Sequence, residues 1–276
     1  MPPPMSHTLD PGPSRAQTHV NEPKEKRLNP KLKFTAAAAT LLLTLSGVAS
    51  AQSTTTFDNG REGWEAAASW IAPRIGEGKP ALRTRIENFG VTFANSSNAN
   101  FIGDYTRTAG FELSLDVFTK SIVFDGHQVS RDLVVELRDH DNAPDGLPYV
   151  SVWAKLGTLS ASTGGWQTLS ITVGDTSASS LPSGWGGTGA EDPVTFEPKL
   201  PSDRSFADVL AGIDEIAFTT FTPGFVYGFT KFDVAVDNIS IAPIAAVPEP
   251  SSLALLGLGL SALAWRTRRT GAKRNA

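Results

Sequence analysis

Apolar and polar residues alternate along several stretches of the chain, and this period of two limits the fold more than any other feature. A strand with this pattern buries one face in a core and exposes the other to water, as strands of antiparallel sheets do. One short helix is predicted, over residues 205–211, and Gly212 ends it. Many strands and almost no helix predict an all-β fold, a two-sheet antiparallel sandwich of the jelly-roll type. The alternating apolar residues are Phe111, Leu113, Leu115 and Val117; Leu133, Val135 and Leu137; Leu169, Ile171 and Val173; Ile216 and Phe218; and Phe232, Val234 and Val236.

The last of these stretches is irregular. Its apolar residues occupy even positions from 232 to 236, but odd positions at 239 and 241. Both sets face one core only if an extra residue is inserted between them, which is what a β-bulge does. We therefore predict a bulge at Asp237-Asn238 that turns Asp237 away from a regular ladder position.

The composition limits the chemistry of the chain. It contains no cysteine, which excludes disulfides, thiolate metal sites and cysteine nucleophiles. The formal net charge of −4 is uneven, because residues 52–247 contain 13 Lys/Arg and 24 Asp/Glu while basic residues gather at both ends. An acidic body argues against nucleic acid binding, in which Lys and Arg neutralise phosphates. It fits a soluble extracellular domain, and also one that binds a hard cation.

The first 51 residues are predicted to be a leader and signal peptide. Lys31 and Lys33 precede an apolar run over residues 34–45, and the small residues Ala49-Ser50-Ala51 follow it. This order is typical of a secretory signal for Sec export, cleaved after Ala51. A buried N-terminal helix is the alternative. The polar, Pro-rich residues 1–30 belong to no domain, whether they are translated as a long leader or precede the true start.

Residues 247–276 are predicted to be a sorting tail. The apolar stretch over residues 253–265 is shorter than the roughly 20 residues that a stable transmembrane helix needs. Basic residues after it favour a cytoplasmic location for that end, and Pro248 and Pro250 separate it from the body. An ordinary single-span anchor is the alternative. The basic residues are Arg266, Arg268 and Arg269.

This tail resembles the PEP-CTERM sorting signal, because Pro248-Glu249-Pro250, a Leu-rich stretch with glycines and an Arg cluster follow in that order. The resemblance implies recognition by an exosortase-type transpeptidase, with transient anchoring in the inner membrane of a Gram-negative bacterium that makes extracellular polysaccharide. The same tail is also called an ice-binding protein C-terminal domain. The body, however, has no regular Thr-x-Thr array that would bind ice.

The two ends of the body, residues 52–246, resemble those of jelly rolls of the carbohydrate-binding-module type. The matching segments are 56–64, which reads TFDNGREGW, and 236–241, which reads VDNISI. The resemblance implies that the first and last strands lie side by side, with a structural calcium ion between them. Its implied ligands are Asp58 and Asp237, with backbone carbonyls. Laminin-B-like and concanavalin-type sandwiches have similar ends.

A second candidate calcium site is the loop over residues 138–146, where Asp139, Asp141 and Asp145 offer oxygens to a hard cation. The spacing departs from the EF-hand pattern, since Pro144 stands where that pattern has glycine. The alternative is a hairpin turn, because Asn, Pro, Asp and Gly all favour turns. The residues favour the turn.

The body contains five tryptophans, which either pack in a core or stack on sugar rings. Trp64 and Trp166 begin apparent strands and are predicted to lie in the core. Trp185 lies in a stretch over residues 181–190 that is rich in Gly, Pro and Ser. We therefore predict that Trp185 is on a loop and contacts a ligand.

No catalytic residue is predicted. The body's two histidines, His127 and His140, lie in none of the nucleophile, zinc or phosphate-loop motifs. With 24 acidic residues, chance pairs of carboxylates are inevitable, so pairing alone does not indicate a glycosidase. We expect a non-catalytic surface or matrix protein that binds, or is retained in, extracellular polysaccharide. A glycan-processing hydrolase on the same fold is the alternative.

Overall fold

Strands dominate the computed structural model, which describes residues 52–75, 79–244 and 256–261. The strands are β1 (Ser53–Thr55), β2 (Trp64–Glu65), β3 (Ser69–Ile75), β4 (Lys79–Asn88), β5 (Thr92–Asn95), β6 (Gly110–Phe124), β7 (His127–Gln128), β8 (Arg131–Asp139), β9 (Val150–Leu159), β10 (Trp166–Val173), β11 (Trp185–Thr188), β12 (Ala190–Glu191), β13 (Pro198–Lys199), β14 (Glu215–Thr219) and β15 (Thr230–Ile244).

Helical structure is sparse in the described ranges. The helix α1 spans Phe206–Leu210, and residues 256–261 are also helical and exposed. None of the helices in these ranges combines the length and apolar character needed to cross a membrane. The predicted signal cleavage site at Ala51 and the predicted sorting residues Pro248-Glu249-Pro250 lie outside the described residues.

The strands form two antiparallel sheets that enclose a common core. In the first sheet the order is β10-β6-β15-β4-β3, with β1 beside β15 and β7 beside β6. In the second sheet the order is β11-β9-β8-β14-β5-β2, and β12 and β13 form a separate two-stranded ribbon. This architecture confirms the predicted all-β, two-sheet sandwich.

The core lies where the alternating pattern predicts it. Leu113 of the first sheet and Leu137 of the second are both completely buried. Trp64 is also in this core, as predicted, with its ring edge-on to Phe101 and stacked on Phe218. Each large side chain buried in this way stabilises the fold by about 1.5–3 kcal/mol.

Trp166 does not lie in this core, and the prediction that placed it there is wrong. In β10 the core-facing residues are at odd positions such as Leu169, so position 166 belongs to the opposite face. Trp166 lies opposite Phe118 of β6 on the outer face of the first sheet. There both rings pack against a small second cluster that contains Ala81 and Ala235.

The predicted bulge is present in β15. Asp237 lies opposite Asp116, whereas Ser240 lies opposite Ser114, so β15 has one residue more than β6 over this interval. Asn238 has a positive φ of 47°, a conformation that Asn adopts more readily than most residues. Asp237 keeps a ladder position opposite Asp116, so the expectation that the bulge would turn it away is wrong.

The first strand of the body lies beside the last, as the resemblance implied. Ser53 pairs with Ile241 and Thr55 pairs with Ile239. The chain therefore leaves β1 next to the bulge of β15, which brings residue 58 to the same part of the first sheet.

The helix α1 occupies the segment in which the sequence predicts a helix. Ser205 and Asp208 form a capping box, in which each side chain accepts a hydrogen bond from the other residue's backbone N–H. The side chains of Phe206 and Leu210 are buried in the core, and Gly212 follows the end of the helix.

Candidate functional site

A cleft with a volume of about 370 Å³ opens on the outer face of the second sheet. Alternate residues of β8 face the core, so the residues between them, including Glu136 and Arg138, face outward into the cleft. Thr188 of β11 also lines it. The aromatic walls are Tyr149, just before β9, and Phe221, just after β14.

Hydrogen bonds fix the polar groups of the cleft. The Glu136 side chain is almost completely buried, and its Oε1 accepts a hydrogen bond of 2.7 Å from the Ser151 hydroxyl. Its Oε2 accepts two from Arg138, from Nε at 3.0 Å and from Nη2 at 2.6 Å. Arg138 Nη1 donates to Glu215 Oε1 at 2.5 Å. One guanidinium thus joins two carboxylates on neighbouring strands, a strong charge-assisted arrangement.

Tyr149 is held against this network. The Arg138 guanidinium carbon lies 4.7 Å from the centre of the Tyr149 ring, a cation–π contact. The His140 ring is edge-on to Tyr149 at 5.5 Å, and its Nε2 is 3.3 Å from Glu215 Oε2. Burial and the nearby charge of Glu136 raise the pKa of Tyr149, so its phenol stays protonated near neutral pH.

The electrostatics of the cleft follow from these pairs. Burial lowers the pKa of Arg138, but the carboxylates of Glu136 and Glu215 outweigh burial, and the pKa is raised overall. Two carboxylates outnumber one guanidinium, so the network has a net negative formal charge. Such a site offers fixed hydrogen-bond acceptors and donors to a neutral polar ligand and repels an anionic one.

Sequence reasoning missed every residue of this cleft. The signal that was available is the outward pair Glu136 and Arg138, which lie two residues apart in a strand whose other residues are mostly apolar. The partners Ser151, Glu215 and Tyr149 come from other strands or loops, and nothing in the local sequence connects them to β8.

Trp185, the predicted ligand contact, has different surroundings from those expected. It begins β11 and pairs with Ala154 of β9, so this position is in a sheet and not on a loop. Its ring is edge-on to Phe206 at 5.2 Å and packs against the core. A ligand contact of Trp185 stays a prediction.

Of the loop predicted over residues 138–146, residues 138 and 139 are the last two of β8, and residues 140–149 connect β8 to its partner β9, as a hairpin connection does. Asp139 is buried and accepts hydrogen bonds from the backbone N–H and the side-chain amide of Asn142. Asp141 and Asp145 are exposed. These contacts within the loop are those of a turn, and calcium binding by the three aspartates stays a prediction.

Of the other two predicted calcium ligands, Asp237 lies at the bulge and lines a cavity of about 220 Å³ on the first sheet, whereas Asp58 is not part of its lining. Asp237, Asp116 and Lys79 are among its lining residues. Asp237 is 2% exposed, and its carboxylate accepts a hydrogen bond from the Asn238 backbone N–H at 2.7 Å. Burial raises the pKa of Asp237 to about 6; the Asn238 N–H lowers it, and the charges of Asp116 and Asp58 raise it.

The structure thus brings Asp58 and Asp237 close enough for their charges to interact, and adds Asp116, which the sequence did not predict. Over residues 52–75, 79–244 and 256–261, no three His, Cys, Asp or Glu side chains form a group that could hold a metal ion. Carboxylate oxygens are the ligand type that a hard cation prefers, and Asp116 and Asp237 both line the cavity beside the bulge. Backbone carbonyls or waters would have to complete such a site.

A family model matches residues 246–269, the segment that contains Pro248-Glu249-Pro250. Residues 246–269 are a PEP-CTERM protein-sorting motif. The resemblance drawn from the sequence is thereby confirmed. The PEP-CTERM motif indicates an exported cell-surface protein that an exosortase processes.

No curated protein matches the chain. Among solved structures it is similar to a family 11 carbohydrate-binding module of a cellulosomal cellulase of Clostridium thermocellum, with 13% identity, a TM-score of 0.44, and coverage of 72% of this chain and 98% of that one. An endo-1,4-beta-D-xylanase of the same organism, with its CBM22-1 and GH10 modules, gives 12% identity and a TM-score of 0.37 over 69% of this chain and 28% of the xylanase. An exo-beta-agarase gives 15% identity and a TM-score of 0.41, with coverage of 71% of this chain and 26% of the agarase. The chain therefore spans less than a third of either enzyme, and these scores carry no information about its ligand.

Proposed function

We propose that residues 52–246 form a non-catalytic module that binds extracellular polysaccharide in the cleft of the second sheet. The observation that carries the proposal is that the cleft combines fixed polar side chains, Glu136 and Arg138, with the aromatic side chains of Tyr149 and Phe221. Glu136 and Arg138 are immobilised by Ser151 and Glu215, so they meet ligand hydroxyls without losing side-chain freedom. Tyr149 and Phe221 offer ring faces to the C–H groups of sugar rings.

The same network favours binding over hydrolysis. A glycosidase needs one carboxyl group that gives a proton to the leaving group and a second that attacks the sugar or activates water. Glu136 and Glu215 are both hydrogen-bonded to Arg138. Neither is free for either role while that guanidinium joins them.

Export and sorting place the module outside the cell. We propose that Sec exports the chain and that cleavage follows Ala51. An exosortase-type transpeptidase then acts at Pro248-Glu249-Pro250, while residues 253–265 are transiently anchored in the inner membrane of a Gram-negative host. The module would then be retained at the surface or in the extracellular matrix.

A structural calcium ion beside Asp58 and Asp237 completes the proposal. It would neutralise the charges of Asp116 and Asp58, which raise the pKa of Asp237, and it would join the first and last strands of the body. The ion would stabilise the fold and would not touch a ligand in the cleft, because the cleft is on the other sheet.

The cleft is tested by Phe221→Ala in the exported protein, with Phe124→Ala as the matched control. Both side chains are exposed to a similar extent, 43% and 41%, but Phe124 is at the end of β6 in the first sheet. Losing one stacked aromatic contact weakens binding roughly tenfold. We expect that loss for Phe221→Ala alone, measured by affinity electrophoresis in gels that contain xylan, mixed-linkage β-glucan or agarose.

Equal affinities of the two variants for every bound polysaccharide would exclude the cleft. Release of reducing sugars by the wild type, abolished by Glu136→Gln, would instead assign the hydrolase alternative. We expect no such release.

A further inference from the structure

A row of side chains crosses the outer face of the first sheet, on the side of the sandwich away from the cleft. Residues that are directly paired in a sheet share a face, and adjacent strands are about 4.8 Å apart, so five paired residues span about 19 Å. The row reaches from one edge of the five-strand path to the other. In order across β3, β4, β15, β6 and β10, this cross-strand row is Trp70, Arg83, Ala235, Phe118 and Trp166.

The aromatic rings of the row are held in place. The centres of the Phe118 and Trp166 rings are 5.7 Å apart, and both rings pack on the buried cluster that contains Ala235. At the other end, Trp70 is 40% exposed, and the Arg83 guanidinium lies 5.5 Å from its ring centre. Arg83 is itself fixed by two hydrogen bonds of 2.7 Å to Asp233. Rings fixed in advance lose little entropy when a ligand binds.

Polar residues border the cross-strand row on both sides. One border is displaced from the row by two residues along each strand and contains Asp237, Asp116 and Thr168. The other contains Arg85, Asp233 and Ser121. A strip of aromatic rings with one guanidinium, between two borders that contain exposed polar side chains, matches a ligand with apolar faces and polar edges, which is the character of a chain of sugar rings. A lipid surface or an apolar protein face would desolvate the exposed side chains of Arg85 and Thr168.

The charges of this face and of the whole body restrict the class of polysaccharide that fits. Arg83 and Asp233 neutralise each other in a bidentate pair, and the other charges are of both signs, with Arg85 on one border and Asp116, Asp237 and Lys79 near the other. The body as a whole has an excess of acidic residues. That acidic excess would repel an anionic polysaccharide, while the mixed charges of this face favour neither sign, so a neutral polysaccharide fits best.

We propose that the cross-strand row is a second surface for neutral polysaccharide, and that the protein bridges two polysaccharide chains. The inference rests on the proposed function for its ligand class, but the row does not depend on the cleft. The two surfaces are on opposite outer faces of the sandwich, so each holds its own chain segment. Two linked sites also raise the avidity for a dense matrix above the affinity of either site.

The test compares four variants of the exported protein: Trp70→Ala, Trp166→Ala, Phe221→Ala in the cleft, and Phe124→Ala as the control on the first sheet. Affinity electrophoresis with xylan, mixed-linkage β-glucan and agarose measures binding, and the viscosity of the soluble polysaccharides reports bridging. Trp70 is an exposed edge residue, so Trp70→Ala keeps the test valid if Trp166→Ala fails to fold. Thermal melts identify such a failure.

We expect the wild type and Phe124→Ala to raise the viscosity. Trp70→Ala, Trp166→Ala and Phe221→Ala should each weaken binding roughly tenfold or less, retain residual binding, and lose the viscosity increase. If the two tryptophan variants bind and bridge like the wild type, the row is not a site, and the cleft proposal stands. If Phe221→Ala abolishes all binding, the row is likewise excluded.

Other outcomes separate the two proposals. If Phe221→Ala has no effect while the tryptophan variants lose binding, the row remains as a site and both the cleft and the bridging are excluded. If the wild type binds none of the neutral polysaccharides, both proposals fail. A wild-type dimer in sedimentation velocity that becomes a monomer in Trp70→Ala would assign the row to self-association and overturn the inference.

Discussion

The two outer faces of the sandwich each contain a buried carboxylate, but they compensate it differently. Glu136, on the second sheet, is 3% exposed and accepts hydrogen bonds from Arg138 and Ser151. Asp237, on the first sheet, is 2% exposed, and no Lys or Arg of the described residues donates a hydrogen bond to it. Its pKa is raised to about 6. Two equally buried carboxylates thus differ in their compensation, and a buried charge is better tolerated where a cationic partner donates hydrogen bonds to it.

The largest expected effect comes from removing the partner of Glu136. Arg138→Met leaves Glu136 and Glu215 without their shared cation. Breaking a buried ion pair from one side costs about 3–5 kcal/mol, so we expect the free energy of unfolding to fall by that amount. Urea unfolding of the exported protein, followed by tryptophan fluorescence, measures it.

An exposed pair provides the control. Lys155 and Asp132 are 2.7 Å apart, with side chains 52% and 36% exposed, and such pairs contribute less than about 1 kcal/mol. Lys155→Met should therefore have little effect. Similar losses in both variants would show that burial does not distinguish the two pairs.

A calcium effect on the first sheet is expected to be the next largest. An ion at 100 times its dissociation constant stabilises the folded state by about 2.7 kcal/mol. For a domain of this size, that corresponds to a rise of roughly 5–10 °C in the melting temperature. Asp237→Ala should abolish the rise, because it removes the buried ligand. Thermal melts of the exported protein with calcium and with chelator measure it.

The hairpin loop gives the matching control for calcium. Asp141→Ala should leave the calcium effect intact, because Asp141 is exposed in a turn. If Asp141→Ala alone loses the effect, the ion belongs to the loop over residues 138–146. Melting curves that coincide with and without calcium would exclude both sites.

The pH dependence of Asp237 is expected to be the smallest effect. Its pKa is raised from 3.8 in the unfolded chain to about 6 in the folded one, so between these values the folded state binds more protons. Without calcium, stability should fall as the pH rises through this window and stay low above it. Allowing for solvent screening, the loss is about 1–2 kcal/mol.

Asp237→Asn should remove this pH dependence and be more stable than the wild type at pH 8 in chelator. Urea unfolding at pH 4.5, 6 and 8 tests it. A wild type whose stability rises steadily over this range would contradict the raised pKa of Asp237.

Local patterns were sufficient for the framework of the fold. The alternation along β6, β8, β10, β14 and β15 predicted which residues face the core, because side chains of a strand point to alternate sides. The change of phase after Val236 predicted the bulge, since only an added residue returns Ile239 to the core face. The Pro-Glu-Pro tail was recognisable because its three elements are contiguous in the sequence.

Periodicity did not determine the neighbours of each outward residue. Trp166 was assigned to the core because it begins an apparent strand, although its even position places it on the outer face beside Phe118. Asp116 lies beside Asp237 because of the register in which β6 pairs with β15. Glu215 and Ser151 reach Arg138 and Glu136 because β14 and β9 pair with β8 on its two sides.

The sequence by itself therefore determined the strands, their buried faces and the sorting motif, because each is a property of neighbouring residues. The tertiary structure alone decided the cleft, the cross-strand row and the raised pKa of Asp237. Each of these depends on which distant strands are hydrogen-bonded and in which register. A shift of one residue would keep every strand intact but would turn the paired side chains to opposite faces.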